Sequence, residues 1–333
     1  MHPVLFTIST ATAAAFFCAA FSAAAAGGLW AWRRPASKFA IAAALVGAAT
    51  GGASGWALAS RFGARSIPVY AYGTMLGASF IAGWLVVMVL GARHARLPRE
   101  KVGHAFVLTA VFAVVGARAL FVLTNPSLFN GPAQWLAVGE GGMVAYGGFV
   151  GGLVGGWLYF RKTALGVLGW GDLAAPALGL GLGLTRIGCY LYGCDFGLPL
   201  GSGAPAWLRE IGSFPRGSPA FATQVARYGL SPEAPASLPV HPTQLYESAV
   251  GFLLFAVTLS IWSRRRFPGQ VLLVFTTAYG VWRFLIEFVR DDPQRGSYLG
   301  LSTSQLISMA LVPLAVWGLH RLGARATTVS APS

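Results

Sequence analysis

Charge is what this chain has least of. Only 10% of its 333 residues are Asp, Glu, Lys or Arg, where a soluble domain carries about 25%. Acids are scarcest, with 10 Asp and Glu against 24 Lys and Arg and a net charge of +14. This shortage excludes an ordinary soluble domain. The basic excess does not make a nucleic-acid footprint either. The Lys and Arg sit in short clusters between apolar runs, not along one polar face, so membrane lipid is the expected partner and nucleic acid is not. Three cysteines are too few for a disulfide framework. Cys189 and Cys194 can pair with each other, and Cys18 in its apolar run reads as packing. No Lys or Arg precedes Arg33, so the start of the chain lacks the basic region of a signal peptide. Its apolar run, Val4 to about Trp32, is also too long for a signal-peptide core.

Hydrophobic residues make up 55% of the chain, and the mean hydropathy is +0.62. Nine apolar segments follow one another: about 4–30, 39–60, 71–91, 102–123, 143–160, 172–193, 246–263, 270–290 and 303–320. A bilayer crossing takes about 20 residues, so the expected architecture is an all-α polytopic membrane protein. Fourteen of the 24 Lys and Arg lie after segments 1, 3, 5, 7 and 9, whereas 124–142 has none and 194–245 has three. Positive residues favour the cytoplasmic side. The N-terminus is therefore expected outside and the C-terminus inside. The Pro-, Gly- and Ser-rich stretch 194–245 reads as an external subdomain on loops. In GGFVGGLVGG (147–156) small residues recur at helical spacing, which lets helices approach closely in lipid.

A charged side chain at the bilayer centre costs at least about 2.5–3.5 kcal/mol on insertion scales. The residues expected at that depth are Arg118, Arg186, and Arg283 with Glu287; Asp172, Glu140, Glu247 and Arg290 fall near segment ends. Arg283 and Glu287 are four apart and share a helix face, as a self-neutralising structural pair or as part of a site. Three arginines against one clear buried carboxylate leave guanidinium in excess. That suits a lipid phosphate, which arginine grips with two parallel hydrogen bonds. HPTQLYES (241–248) opens the seventh segment from outside. It is either a helix cap with Tyr246 at the interface or a cavity wall built of His241, Gln244, Tyr246 and Glu247. Tyr72 and Tyr146 begin the third and fifth segments on the same side, as interface anchors or as phenols facing a headgroup.

These stretches resemble the prolipoprotein diacylglyceryl transferase family. GGMVAYGGFVGG resembles its glycine-rich segment, and GLTRIGCYLYGCDFG its G-R-x-G-N-F-x-N-G signature. HPTQLYES is nearly its H-P-S-Q-L-Y-E, YGVWRFLIEFVRDD resembles its Y-G-x-x-R-x-x-x-E-x-x-R segment, and VGARALFVL and STSQLIS match as well. The likeness spans about 68–322. It implies a seven-helix core over 67–323, including the external region 194–245, preceded by two extra transmembrane helices in 1–66 and followed by a cytoplasmic tail, 324–333. It further implies a multi-pass protein of the bacterial inner membrane that moves the diacylglyceryl group of phosphatidylglycerol onto the lipobox cysteine of a preprolipoprotein, recognised through its signal peptide, with release of glycerol-1-phosphate.

No cofactor or metal is implied. By position Arg186 matches the arginine that holds the headgroup. Arg283 matches the family's other essential arginine, Glu287 its partner acid, and Tyr72 its early tyrosine. Arg118, Cys189, Gly197, His241, Gln244, Tyr246 and Glu247 fall in the substrate-binding stretches. Three departures stand out: Tyr146 replaces the usual histidine, Cys189 an asparagine, and Cys194 a glutamate, with Asp195 adjacent. Tyr146 is a poor base at an ordinary pKa of about 10, so Asp195 and His241 are alternative proton acceptors. Cys189 and Cys194 read as small packing residues or an external disulfide before metal ligands, since C-x4-C is not a common zinc spacing. Two other functions remain: a homologue that binds phospholipid without transferring it, and, with less support, a small-molecule transporter.

Overall fold

The computed structural model describes residues 4–9, 66–93, 97–129, 131–135, 142–161, 165–291, 297–298 and 300–329. Cys18, Glu140, the whole second apolar segment and the first beyond Ser9 lie outside them. The chain divides into two units, His2–Thr74 and Met75–Ser333.

In the first unit, β1 (Val4–Ser9) pairs antiparallel with β2 (Ser66–Tyr70), Val4 opposite Tyr70 and Ser9 opposite Ser66. This corrects the expected start of a membrane helix at Val4. A short apolar run does not distinguish helix from strand by periodicity, and the β-branched Val4, Thr7 and Ile8 fit a pleated strand.

The second unit is helical. α1 (Ala71–Arg93), which begins in the first unit, and α2 (Arg99–Thr124) come first. They are followed by the short α3 (Pro132–Trp135), then α4 (Ala145–Phe160) and α5 (Gly166–Tyr192). α6 (Ala206–Ile211) and α7 (Pro219–Tyr228) lie in the expected external stretch. α8 (Thr243–Trp262), α9 (Gln270–Ile286), the strand pair β3 (Ser297–Tyr298) and β4 (Leu301–Ser302), and α10 (Thr303–Val329) complete the unit. Each of the seven apolar segments expected in the core carries a helix. Among the described residues α1, α2, α5, α8 and α10 are long and apolar enough to cross a membrane, and α9 is a shorter apolar helix. In lipid a backbone must satisfy its own polar groups, so even glycine-rich sequences fold as helices there.

The main crossings are α2 on α4, α5 on α8, and α9 on α10. Glycine sets the first two. A Cβ on Gly151 of α4 would collide with the Phe112 carbonyl oxygen of α2, and one on Gly251 of α8 would lie 2.5 Å from the Gly183 nitrogen of α5. Close backbone approach is how helices gain contact in lipid, so GGFVGGLVGG is a packing device. At the other end of α5, the buried Asp172 carboxylate accepts from the backbone N–H groups of Gly269 and Leu272 at 2.7 and 2.9 Å. It supplies the missing cap for the start of α9.

The region 194–245 is more ordered than its composition suggested. Ser218 caps α7 by accepting from the Phe221 N–H, with Pro219 in the first turn. Phe196, Phe214, Ala220 and Val240 form a small core of their own. The segment 197–200 is stitched on two sides, to His241 and Pro239 and to Val289.

Candidate functional site

α5 ends after Tyr192. Gly193 turns left-handed at φ 84° and donates its N–H to the Cys189 carbonyl at 2.9 Å, a common helix termination. Asp195 follows at φ 57°, the only non-glycine with positive φ among the described residues. Aspartate tolerates this region better than most residues, and the start of α8 holds it there. Thr243 donates its hydroxyl to the Asp195 carbonyl at 2.7 Å, and the Gln244 amide donates to the Cys194 carbonyl at 2.6 Å. The first turn of HPTQLYES is thus a clamp on the loop that carries Asp195. Gly197 is a packing position in the same loop, because a Cβ there would meet Val289, His241 and Thr243 within 2.8 Å.

The clamp completes a box of four charges. Arg186 reaches Asp195 through Nη1 at 2.9 Å and Glu247 through Nε at 3.0 Å. Arg290 reaches Glu247 through Nη1 at 2.9 Å and Asp195 through Nη2. The box has a closed side and an open one. Glu247 and Arg290 have side chains 0% and 1% exposed, whereas Arg186 and Asp195 are 16% and 24% exposed. Arg186 Nη2 has no protein partner among the described residues. The expected excess of guanidinium is corrected here. Glu247, placed near a segment end by the sequence, and Asp195, read there as an alternative proton acceptor, fold inward and balance Arg186 and Arg290.

Arg283 and Glu287 form the expected pair at 2.5 Å, and Ser304 of α10 accepts from Arg283 Nη2 at 3.0 Å. The half-buried Tyr279, one turn before Arg283 on α9, lies within electrostatic reach of Arg186, Glu247 and Arg283, and also of Tyr146. In the sequence Tyr279 stands out only as a letter of a motif, and Arg290 only as a charge near a segment end. Arg290 follows Glu287 by three residues, and that spacing was the available signal.

Other residues fall elsewhere. Arg118 donates Nε and Nη2 to the carbonyls of Trp135 and Gln134 at 2.8 Å and Nη1 to Gly142 at 3.0 Å. It lies over the rings of Phe121 and Phe129, so it ties down the α2–α4 connection. Tyr72, in the first turn of α1, belongs to the N-terminal unit and is partly exposed there. His241 is half-buried, with Nδ1 3.5 Å from the Tyr246 hydroxyl, and burial pushes its pKa below the ordinary histidine value. In the region 194–245 the Tyr228 phenol is pushed up by burial and by its hydrogen bond to Asp291. Cys189 and Cys194 are free thiols in this structure, so the disulfide envisaged from sequence is not formed here. Their sulfurs and an Asp195 oxygen lie within 4.8 Å of one another.

The family model for prolipoprotein diacylglyceryl transferase matches residues 60–321. A Clostridium perfringens protein named phosphatidylglycerol–prolipoprotein diacylglyceryl transferase 2 is 30% identical over 79% of this chain and 95% of its own length. Proteins named phosphatidylglycerol–prolipoprotein diacylglyceryl transferase from Neisseria meningitidis and Nitratidesulfovibrio vulgaris are each 31% identical, over 74% and 77% of this chain and 90% and 91% of their own lengths. With four charged side chains closed around the end of a glycine-lined helix inside the matched region, the chain belongs to the prolipoprotein diacylglyceryl transferase family.

Proposed function

We propose that the protein transfers the diacylglyceryl group of phosphatidylglycerol to the lipobox cysteine thiol of preprolipoproteins. It acts at the outer face of a bacterial inner membrane, with its N-terminus outside and its C-terminus in the cytoplasm. The observation that carries this reading is Arg186: a guanidinium held rigid by two carboxylates, with one nitrogen left over on the open side of the box.

The reaction forms a bond from sulfur to C3 of the diacylglyceryl glycerol and breaks the bond from that carbon to the phosphate oxygen. Negative charge grows on the departing glycerol-1-phosphate. Arg186 offers Nη2 to it, and Arg283, oriented by Glu287 and Ser304, offers a second positive charge. Preorganised donors of this kind are commonly a large term in catalysis. Arg290 and Glu247 keep the box in shape from behind. Arg118 acts on substrate only through the loop it holds. The attacking species is a thiolate, so the thiol proton must leave. Asp195 is exposed to the substrate side, and burial keeps His241 neutral to lower pH; these two can accept the proton. Tyr146 donates a hydrogen bond. If Tyr146→Phe transfers at the wild-type rate, Tyr146 has no part in the chemistry.

The test uses full-length protein in detergent with phosphatidylglycerol and a lipobox peptide, beside Arg186→Ala. Glycerol phosphate release together with a diacylglyceryl mass gain on the peptide, in wild type alone, supports the proposal. Phosphatidylglycerol bound without turnover in wild type, and lost in the variant, would overturn it in favour of a binding homologue.

A further inference from the structure

Two thiols face the charged box, and the transfer chemistry uses neither. Cys189 is buried, three residues after Arg186 on α5, with Sγ 3.9 Å from Arg186 Nη1. Cys194 is half-buried beyond the left-handed Gly193. Its Sγ lies 3.8 Å from the Cys189 carbonyl and 3.9 Å from Asp195 Oδ2. The way α5 ends puts them together. The Cys189 carbonyl accepts from the N–H groups of both Gly193 and Cys194, at 2.9 and 3.1 Å, which folds the chain back over the last helical turn. The sulfurs lie within 4.8 Å of each other, and a disulfide needs about 2 Å.

We propose that Cys189 and Cys194 are a disulfide-forming site whose oxidation turns transfer down. The proposal rests on the transfer reading and on the outer-face orientation, where the surroundings are oxidising. Cys194, the more accessible thiol, attacks a low-molecular-weight disulfide as its thiolate and releases one thiol. Cys189 then resolves the mixed disulfide and releases the second. The dithiol loses two electrons and two protons, and the external disulfide gains both as two thiols. Closing the bond draws Cys194 toward α5, while Gln244 holds its carbonyl and Thr243 holds that of Asp195. Asp195 is the next residue, in a left-handed conformation with little slack, and its Oδ2 seats Arg186 Nη1. Displacing that carboxylate displaces the guanidinium meant for the phosphate.

The test starts from reduced full-length protein freed of reductant, treated with oxidised glutathione and then freed of it. Trypsin cleaves after Arg186 and Arg209, so one peptide carries both cysteines. It is expected to lose the mass of two hydrogens and to resist alkylation until reduced. The initial transfer rate should fall about tenfold or more, the scale that a displacement of about an ångström costs. It should return with dithiothreitol. In Cys194→Ser the rates before and after oxidation should be equal. Two alkylatable thiols surviving in that peptide would overturn the site, and a disulfide formed with no change in rate would overturn its control of transfer. If the variant does not fold, the wild-type peptide mass and the reversal decide. Failure of reduced protein to transfer would sink the transfer reading alone, because the peptide mass still reports the bond.

Discussion

Arg118 and Arg186 invite comparison. Each lies on a helix whose crossing with its neighbour is set by glycine, α2 on α4 and α5 on α8. Each fell at membrane depth in the sequence and was expected to bind substrate. Their partners differ. Arg118 takes three backbone carbonyls and two aromatic rings. Arg186 takes two carboxylates and keeps one nitrogen on the open side. Carbonyls can saturate the donors of a guanidinium, which makes it a latch. Carboxylates, when a second arginine stands behind them, orient it while leaving an edge for an anion. A buried arginine is thus read from its acceptors, not from its depth.

Four changes test that contrast. The largest effect is expected from Arg186→Ala: transfer should fall by about 10²–10³-fold, the scale of losing one preorganised donor to a developing anion, measured as peptide mass gain per unit time. Transfer within a few-fold of wild type would remove the distinction. Glu247→Gln comes next. It takes a charge from between two arginines, and breaking a buried pair costs about 3–5 kcal/mol. A large fall in the thermal unfolding midpoint should therefore accompany lost transfer. Arg118→Ala should mainly destabilise, by a smaller amount, because its acceptors are neutral carbonyls. Transfer per folded molecule should drop far less than in Arg186→Ala, and an equal drop would make Arg118 a headgroup ligand after all.

The smallest effect concerns His241. Its folded pKa lies below its unfolded value of about 6.5. The stability this contributes is present above that value and lost as pH falls through the lower folded pKa. Wild type should lose more of its unfolding midpoint than His241→Gln between about pH 7.5 and 5. Parallel curves would mean that burial does not act on the imidazole.

Much of the fold was legible because lipid makes the signal simple. The seven core helices fall where the apolar segments do, within a few residues at most ends, since a backbone in hydrocarbon has almost no alternative to a helix. Val4–Ser9 reads as the start of a helix because a run of six mostly apolar residues carries no period that separates strand from helix. The Arg283–Glu287 pair was readable from spacing alone, a local property of one helix. The partners of Arg186 were not. Asp195 lies nine residues on, past a left-handed turn, and Glu247 comes from another helix. Arg290 is placed near a segment end by the sequence, but its partners are not readable, because it follows α9 in a loop whose direction no periodicity describes.

The sequence by itself determined that this is a membrane protein of apolar helices, which of them glycine would let approach closely, and which family its motifs resemble. These follow from composition and from short-range spacing, where each residue acts with its near neighbours. Only the tertiary structure decided that Arg186 is balanced by two carboxylates, that Arg118 donates to three backbone carbonyls, and that two thiols face one carboxylate. A charge at depth is compatible with any partner that can reach it, and which one does depends on how α5, α8 and the loops after α5 and α9 meet in space.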